Sequence, residues 1–357
     1  MTTMTAGVAP RPAASAAVDP SLSFGRTLAF SATSLPITAA IVVVMVYLQP
    51  YLASNIGLPL AMVSLAFVAC RLIDIPVEPM LGLAMDRTRT RIGRYRVWTL
   101  IGAPLLMLGL FLLLQTTKAS GMGYLMGSLL VMYLGMSMLL LSHAAWASTL
   151  VKTYNDRARI FGIMAASGVI GSIGVLFIPI VMEKLGYADG ESLPGMIWYV
   201  IGLTPACVGL VVLLTPERIA PEVKSQQRFQ PREYLELITH PAMARILLAD
   251  LCLTLGPGWM SALFVFFSRD RMHFSGGQIS QLLMVYIVAG LLGAPSMAWF
   301  ATKVGKHRAC QLACLIYSAA LITIVFLPPG NLLANMPVNF VTGFVAAGFA
   351  ALVRAMV

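Results

Sequence analysis

Arg71-Leu-Ile-Asp74-Ile-Pro76-Val-Glu78-Pro79-Met-Leu-Gly82-Leu-Ala-Met-Asp86-Arg87-Thr-Arg89-Thr-Arg91-Ile-Gly93-Arg94-Tyr-Arg96 decides how this chain is read. Its first half sets Arg71, Asp74 and Glu78 in an otherwise apolar run. Its second half is a basic loop in which one acid, Asp86, faces five arginines. Charges inside an apolar helix, followed at once by a cationic loop, point to a membrane protein that handles something charged.

The surrounding composition agrees. Of 357 residues, 59% are hydrophobic and 11% charged, and the mean hydropathy is +0.84. A soluble domain carries about 25% charged residues, so this chain lacks the polar groups to cover a water-exposed surface. Apolar runs long enough to cross a bilayer recur at roughly 28–52, 60–84, 97–116, 123–150, 160–182, 195–215, 244–268, 279–301, 309–328 and 335–354. The expected fold class is an all-α polytopic membrane protein.

The net charge of +10 follows from where the cations sit. Arg71 lies within a span. If the N-terminus is cytoplasmic, 19 of the other Lys and Arg residues fall on the cytoplasmic side, and Lys118, Lys184, Arg269 and Arg271 fall outside. That asymmetry follows the positive-inside rule and makes a nucleic-acid partner unnecessary. The expected location is a bacterial inner membrane, with the N-terminus in the cytoplasm and membrane lipids as surroundings. The five cysteines lie in apolar segments without metal-ligand spacing, so they read as buried thiols.

Residues 1–25 are rich in Ala, Pro, Thr and Ser, with no basic start and apolar run of a signal peptide, and read as a cytoplasmic tail. Residues 26–215 hold six spans and 216–243 form a polar cytoplasmic loop. In that loop Tyr234, Leu235 and Ile238 suggest a short interfacial helix. Residues 244–357 hold four spans. Gly93-Arg94-Tyr-Arg96 after the second span returns as Gly305-Lys306-His-Arg308 after the eighth. A pattern recurring six spans later fits parallel repeats, so the expected architecture is two six-helix bundles, the second lacking its last two helices here.

Asp74 and Glu78, four apart, share a helix face, and Arg71 joins them from three residues before. Each such group costs about 2.5–3.5 kcal/mol at the bilayer centre on insertion scales. Together they are tolerable only around a polar cavity where they neutralise one another. Two carboxylates this close resist ionising together, so a proton or a metal cation completes the pair. An Arg71–Asp74 pair that only locks helices is the structural alternative, but it leaves Glu78 unexplained. Pro76 and Pro79 interrupt the backbone ladder and free carbonyls nearby.

Other residues carry two readings each. Ser142, His143 and Trp146 on the fourth span, and Trp259 beside Gly256-Pro257-Gly258 on the seventh, are candidate substrate contacts or packing residues. The Gly-Pro-Gly run reads as a break in the seventh span. Asp250 reads as an ion-pair partner of Arg245. Gly82, Asp86, Arg87, Gly93, Arg94 and Arg96, with Gly305, Lys306 and Arg308, form a candidate cytoplasmic gating motif. There glycine permits close helix approach, and Asp86 pairs with a cation or caps a helix end.

Arg71-x-x-Asp74-x-x-x-Glu78-Pro79-x-x-Gly82-x-x-x-Asp86-Arg87-Thr88, then Gly93-Arg94-x-Arg96, resembles the melibiose-type glycoside–pentoside–hexuronide:cation symporters of the major facilitator superfamily. Tyr47–Leu58 and Trp146 with Asn155-Asp156-Arg157-x-Arg159 resemble the same family, over about residues 25–355. The resemblance implies alternating access between two bundles and symport of a sugar, glycoside or similar small organic solute. It assigns Asp74 and Glu78 to a site for H+ or Na+, with no other cofactor and no enzymatic activity, in a monomer. Where sugar-carrying members place acids on helices one and four and an arginine on helix five, this chain has Ser34-Leu35-Pro36, Ser142 and Ile163-Met164. That departure admits a lipid-like amphiphile as cargo, or a non-transporting assembly or sensor role on the same fold. Loss of the fourth-helix acid weakens the sodium case and keeps the proton open.

Overall fold

A computed structural model describes residues 23–151, 153–188, 191–215, 217 and 241–354. The described residues form helices α1 (Phe24–Leu48), α2 (Leu60–Arg87), α3 (Tyr95–Leu114), α4 (Met122–Leu150) and α5 (Tyr154–Lys184). They continue with α6 (Ser192–Leu214), α7 (Pro241–Phe266), α8 (Gly276–Val304), α9 (Lys306–Phe326) and α10 (Leu332–Arg354). Nine are long and apolar enough to cross a membrane, and α10 is apolar over the shorter stretch Leu332–Gly348. The interfacial helix expected near residue 234 and the tail before residue 23 lie outside the described residues.

Long apolar helices form because leucine, methionine and alanine dominate them, and in lipid every backbone polar group must be satisfied within the helix. Successive spans alternate in direction. One face of the bundle therefore carries the arginine-rich loop 88–94 with residues 215, 217 and 305, and is called the basic face below. The opposite face carries the turns around residues 56, 186, 273 and 330. Outward-pointing side chains such as Leu72, Ile75, Phe177 and Leu213 are exposed and apolar, as a lipid-facing surface requires.

Small residues set the helix spacing. A Cβ on Gly109 would collide with Met132, and one on Gly135 with the Leu106 backbone, so α3 and α4 cross at glycine contact. In the second half, Gly293 against Phe344 and Gly343 against Tyr286 do the same for α8 and α10.

The expected break at Gly256-Pro257-Gly258 is absent, since α7 runs unbroken through Pro257. Proline removes one ladder bond and the flanking turns hold the helix together. Likewise α2 stays helical through Pro76 and Pro79. The expected Arg245–Asp250 pair is also not found among the described residues. Five residues along a helix place two side chains about 140° apart, on different faces.

The two bundles meet mainly where α8 packs along α5 and where α7 meets the end of α1. The main core is continuous across that seam, from Val43, Leu48 and Val175 to Val265, Ile279 and Leu282. Past Val42 the ladder of α1 widens into π-helical turns at Val43–Leu48 and Tyr51–Asn55.

Candidate functional site

The α2 helix places Arg71, Asp74 and Glu78 along one side, as the three- and four-residue spacings require. Arg71 Nη1 donates to Asp74 Oδ2 at 3.2 Å. The guanidinium also lies over the Tyr133 ring, 4.5 Å from its centre, and its Nη2 reaches Met45 Sδ at 3.7 Å. A thioether is a weak acceptor, so Asp74 is the main anchor of this arginine.

The other half of the site comes from α4. Ser137, 3% exposed, points its hydroxyl between the two acids, 3.3 Å from Asp74 Oδ1 and 3.4 Å from Glu78 Oε1. A hydroxyl has one proton, so it donates to one carboxylate at a time and offers its lone pairs to anything held between them. Asp74 is 6% exposed. With both acids ionised and Arg71 counted, the cluster carries one net negative charge. Two carboxylates and a hydroxyl form a hard oxygen set, suited to a proton or an alkali cation rather than a soft metal.

The cluster borders the space between the bundles. Met45 lines a cavity of about 230 Å³ together with Ile41, Met260, Phe264, Tyr286 and Ile287. The Arg71 contact thus joins the carboxylate pair to the wall of that cavity. The lining is almost wholly apolar, with Ser261 and the Tyr286 hydroxyl as its polar side-chain groups.

The substrate candidates from the sequence are not gathered there. Ser142 is buried at the α3–α4 contact, sharing a 3.0 Å hydrogen bond with Thr99 and donating to the Leu139 carbonyl. His143 Nε2 meets the Phe30 carbonyl at 3.1 Å, and its ring stacks on Phe30 at 4.5 Å. Trp146 is fully buried, edge-on to Phe30 and under the Arg96 guanidinium. All three fasten α4 to α1 and α3. Trp259 is 67% exposed and lines a separate apolar cavity of about 450 Å³ in the second bundle. Chemical type alone suggested these four, and burial inside one bundle separates the first three from the fourth.

On the basic face Arg94 Nη2 donates to Asp86 Oδ1 at 2.5 Å, and its Nε donates to the Met85 carbonyl at 3.0 Å. Both Gly93 and Gly305 have positive φ, +138° and +92°, immediately before α3 and α9. The sequence echo is therefore a glycine at positive φ, which an L side chain rarely adopts, placed just before the N-cap of α3 and at the N-cap of α9. Asp86 has no counterpart there, since Ala298 occupies the position seven before Gly305 that Asp86 holds before Gly93. Arg87, Lys306 and Arg308 are exposed. Gly82 does not mark a close helix approach, since a Cβ there would meet nothing within 4 Å.

Sequence reading missed Glu217. Its Oε1 accepts from the backbone N–H of Arg94 and of Tyr95, both at 2.7 Å, and its Oε2 from that of Arg96 at 3.2 Å. Arg96 Nη2 returns a bond to the Thr215 carbonyl. The start of α3 has no acid in its first turn and no side-chain cap at Arg94. A carboxylate delivered from the end of α6 satisfies the orphan donors and the helix dipole there. An acid just past the end of a span was the available signal, but only the α3–α6 packing shows what it caps.

The pattern of the MFS/sugar transport protein family matches residues 29–357. Among curated proteins, the chain is similar to the isoprimeverose transporter of Lactiplantibacillus pentosus, at 21% identity over 85% of this chain and 64% of that protein. It is also similar to the uncharacterized symporter YnaJ of Bacillus subtilis strain 168, at 23% identity over 80% of this chain and 63% of that protein. The chain thus spans slightly less than two thirds of the length of these curated relatives. Among solved structures, a crystal structure of a point mutant of the nucleoside transporter NupG superposes with a TM-score of 0.73. It covers 93% of this chain and 82% of that one at 12% identity, which supports the shared fold.

Proposed function

Because the chain belongs to the MFS/sugar transport family of the major facilitator superfamily, we propose that it works as a cation-coupled symporter for a small organic solute. Asp74 and Glu78 hold the coupling ion. The observation that carries this reading is the Ser137 hydroxyl set between the two carboxylates, with Arg71 balancing one of them. The cluster's single net negative charge is neutralised by one proton or one sodium ion. Neutralising the site lowers the cost of moving it through a low-dielectric seam as the bundles rock. One charge crossing about 100 mV releases about 2.3 kcal/mol, enough for roughly fifty-fold accumulation of a neutral solute.

In this reading the basic face is cytoplasmic, as its arginines favour, and the protein acts as a monomer in a bacterial inner membrane. The isoprimeverose transporter among its relatives supports a glycoside as cargo. A second reading, an amphiphile with an apolar body, is favoured by the apolar lining around Met45, Met260 and Phe264. A thermal-shift screen of the intact protein separates them. Glycosides and single-chain amphiphiles are tested with and without sodium at two pH values. A ligand shift that requires the cation supports symport, and shifts indifferent to both ions oppose it.

A further inference from the structure

Two glutamates in this protein do the same chemical work on opposite faces. On the basic face Glu217 caps α3, and a Cβ on Gly93 would collide with its carboxylate. On the opposite face Glu183, at the end of α5, accepts from the Gly277 backbone N–H at 2.8 Å and from the Ser275 hydroxyl at 2.9 Å. A Cβ on Gly277 would collide with that carboxylate too. In each case a carboxylate sits on the positive end of a helix, with room left for it by a glycine, Gly93 just before the N-cap of α3 and Gly277 in the first turn of α8.

The difference lies in what each glutamate joins. Glu217 links α6 to α3, both in the first bundle. Glu183 links α5 of the first bundle to α8 of the second. The start of α3 has no side-chain cap of its own, and Glu217 supplies the carboxylate that caps it. The start of α8 has a complete capping box. Ser275 Oγ accepts from the Gln278 N–H at 3.3 Å, and Gln278 Oε1 accepts from the Ser275 N–H at 3.1 Å. The box serves the Ser275 and Gln278 N–H groups, whereas Glu183 takes that of Gly277, so α8 has a cap that does not depend on Glu183.

One turn further along α8, the seam closes again. Ser280 donates to the Gly276 carbonyl at 2.9 Å, which leaves its oxygen to accept from the Tyr47 hydroxyl at 2.7 Å. Both residues are buried, and Tyr47 belongs to α1 of the first bundle. The 230 Å³ cavity lined by Met45, Val46, Leu283 and Tyr286 begins just beyond this pair.

We propose that Glu183 on the start of α8 is a releasable clasp between the bundles, backed by the Tyr47–Ser280 bond. It holds the central cavity shut on the face opposite the arginine loop. Its purpose rests on the transport reading, but its operation is read by access alone, so the two can fail separately. Ser261 lines the cavity. The test places Ser261→Cys in the intact protein stripped of its native cysteines, and labels it with a membrane-impermeant methanethiosulfonate in right-side-out and inverted vesicles. With Glu183 present, labelling from the face opposite the arginine loop is slow. Glu183→Gln, which removes the charge, and Gly277→Ala, which displaces the carboxylate, each raise that rate at least about tenfold. Glu217→Gln leaves it unchanged. Unchanged rates in both clasp variants, with labelling from the basic face retained, overturn the proposal. A cargo screen that fails while the labelling responds removes the transport reading and leaves the clasp standing.

Discussion

Ser137 of α4 stands 3.3 Å from Asp74 of α2, close enough to hydrogen-bond a carboxylate that Arg71 holds from its other oxygen. Asp74 is thereby fixed between a cation on its own helix and a hydroxyl on a neighbouring one. Glu78, 3.4 Å from the same hydroxyl, has no arginine of its own among the described contacts. The asymmetry assigns different parts to the two acids. Asp74 is the anchored one and Glu78 lacks such an anchor, so in the proposed symport the two acids hold the ion with Glu78 as the more adjustable ligand.

Ser137→Ala removes the shared hydroxyl and leaves both acids in place. One net hydrogen bond is worth about 0.5–1.5 kcal/mol, so half-saturation by the coupling cation should rise about two- to tenfold. Uptake measured against sodium at fixed pH, and against pH without sodium, shows which ion responds. An unchanged dependence on both ions would remove Ser137 from the site.

Arg71→Gln leaves two carboxylates without their counter-charge. Because the arginine is 43% exposed, the loss is discounted to about 1–2 kcal/mol of stability. Arg71→Gln with Asp74→Asn should recover part of that loss, since the pair is removed together. Thermal unfolding in detergent reads the cycle, and strictly additive losses would argue against a coupled pair.

Glu217→Ala should cost about 1–2 kcal/mol, because three backbone donors at the start of α3 lose their acceptor. Asp86→Ala, at a 64% exposed side chain, should cost about 0–1 kcal/mol. The ranking is the test. A loss for Asp86→Ala as large as that for Glu217→Ala in thermal unfolding would mean that the α6 brace is not the stronger fastening of the basic face.

Gly135→Ala drives a methyl group into the Leu106 backbone and should lower folded yield and melting temperature, by more than about 2 kcal/mol. Gly82→Ala meets open space and should be neutral or stabilising by up to about 1 kcal/mol, since alanine favours helix. Fluorescence-detected chromatography after heating compares the two. A destabilised Gly82→Ala would restore the close approach that the structure denies.

Much of this was legible in the residues. Charges at 71, 74 and 78 in an apolar run stand out because lipid tolerates few of them, and helical spacing alone puts them on one side of α2. The repeated glycine turn at 93 and 305 was visible because φ above zero restricts the residue type. Ser137 was not, since a serine among methionines and leucines on α4 looks like any small packing residue until α2 is laid beside it. Glu217 and Glu183 were hidden for the same reason: each acts on a helix start distant in sequence. His143 and Trp146 misled because an ionisable or aromatic side chain in a span suggests a ligand, and only the Phe30 contacts show that they pack.

The most direct test of the account is ion-driven uptake in proteoliposomes containing the intact protein, its Asp74→Asn form or its Glu78→Gln form, with a solute found by the thermal-shift screen. The account predicts that the parent accumulates the solute against its gradient. Either substitution should abolish accumulation while exchange of labelled for unlabelled solute continues. Accumulation that survives both substitutions, at the parent's level and with the parent's ion dependence, would contradict it.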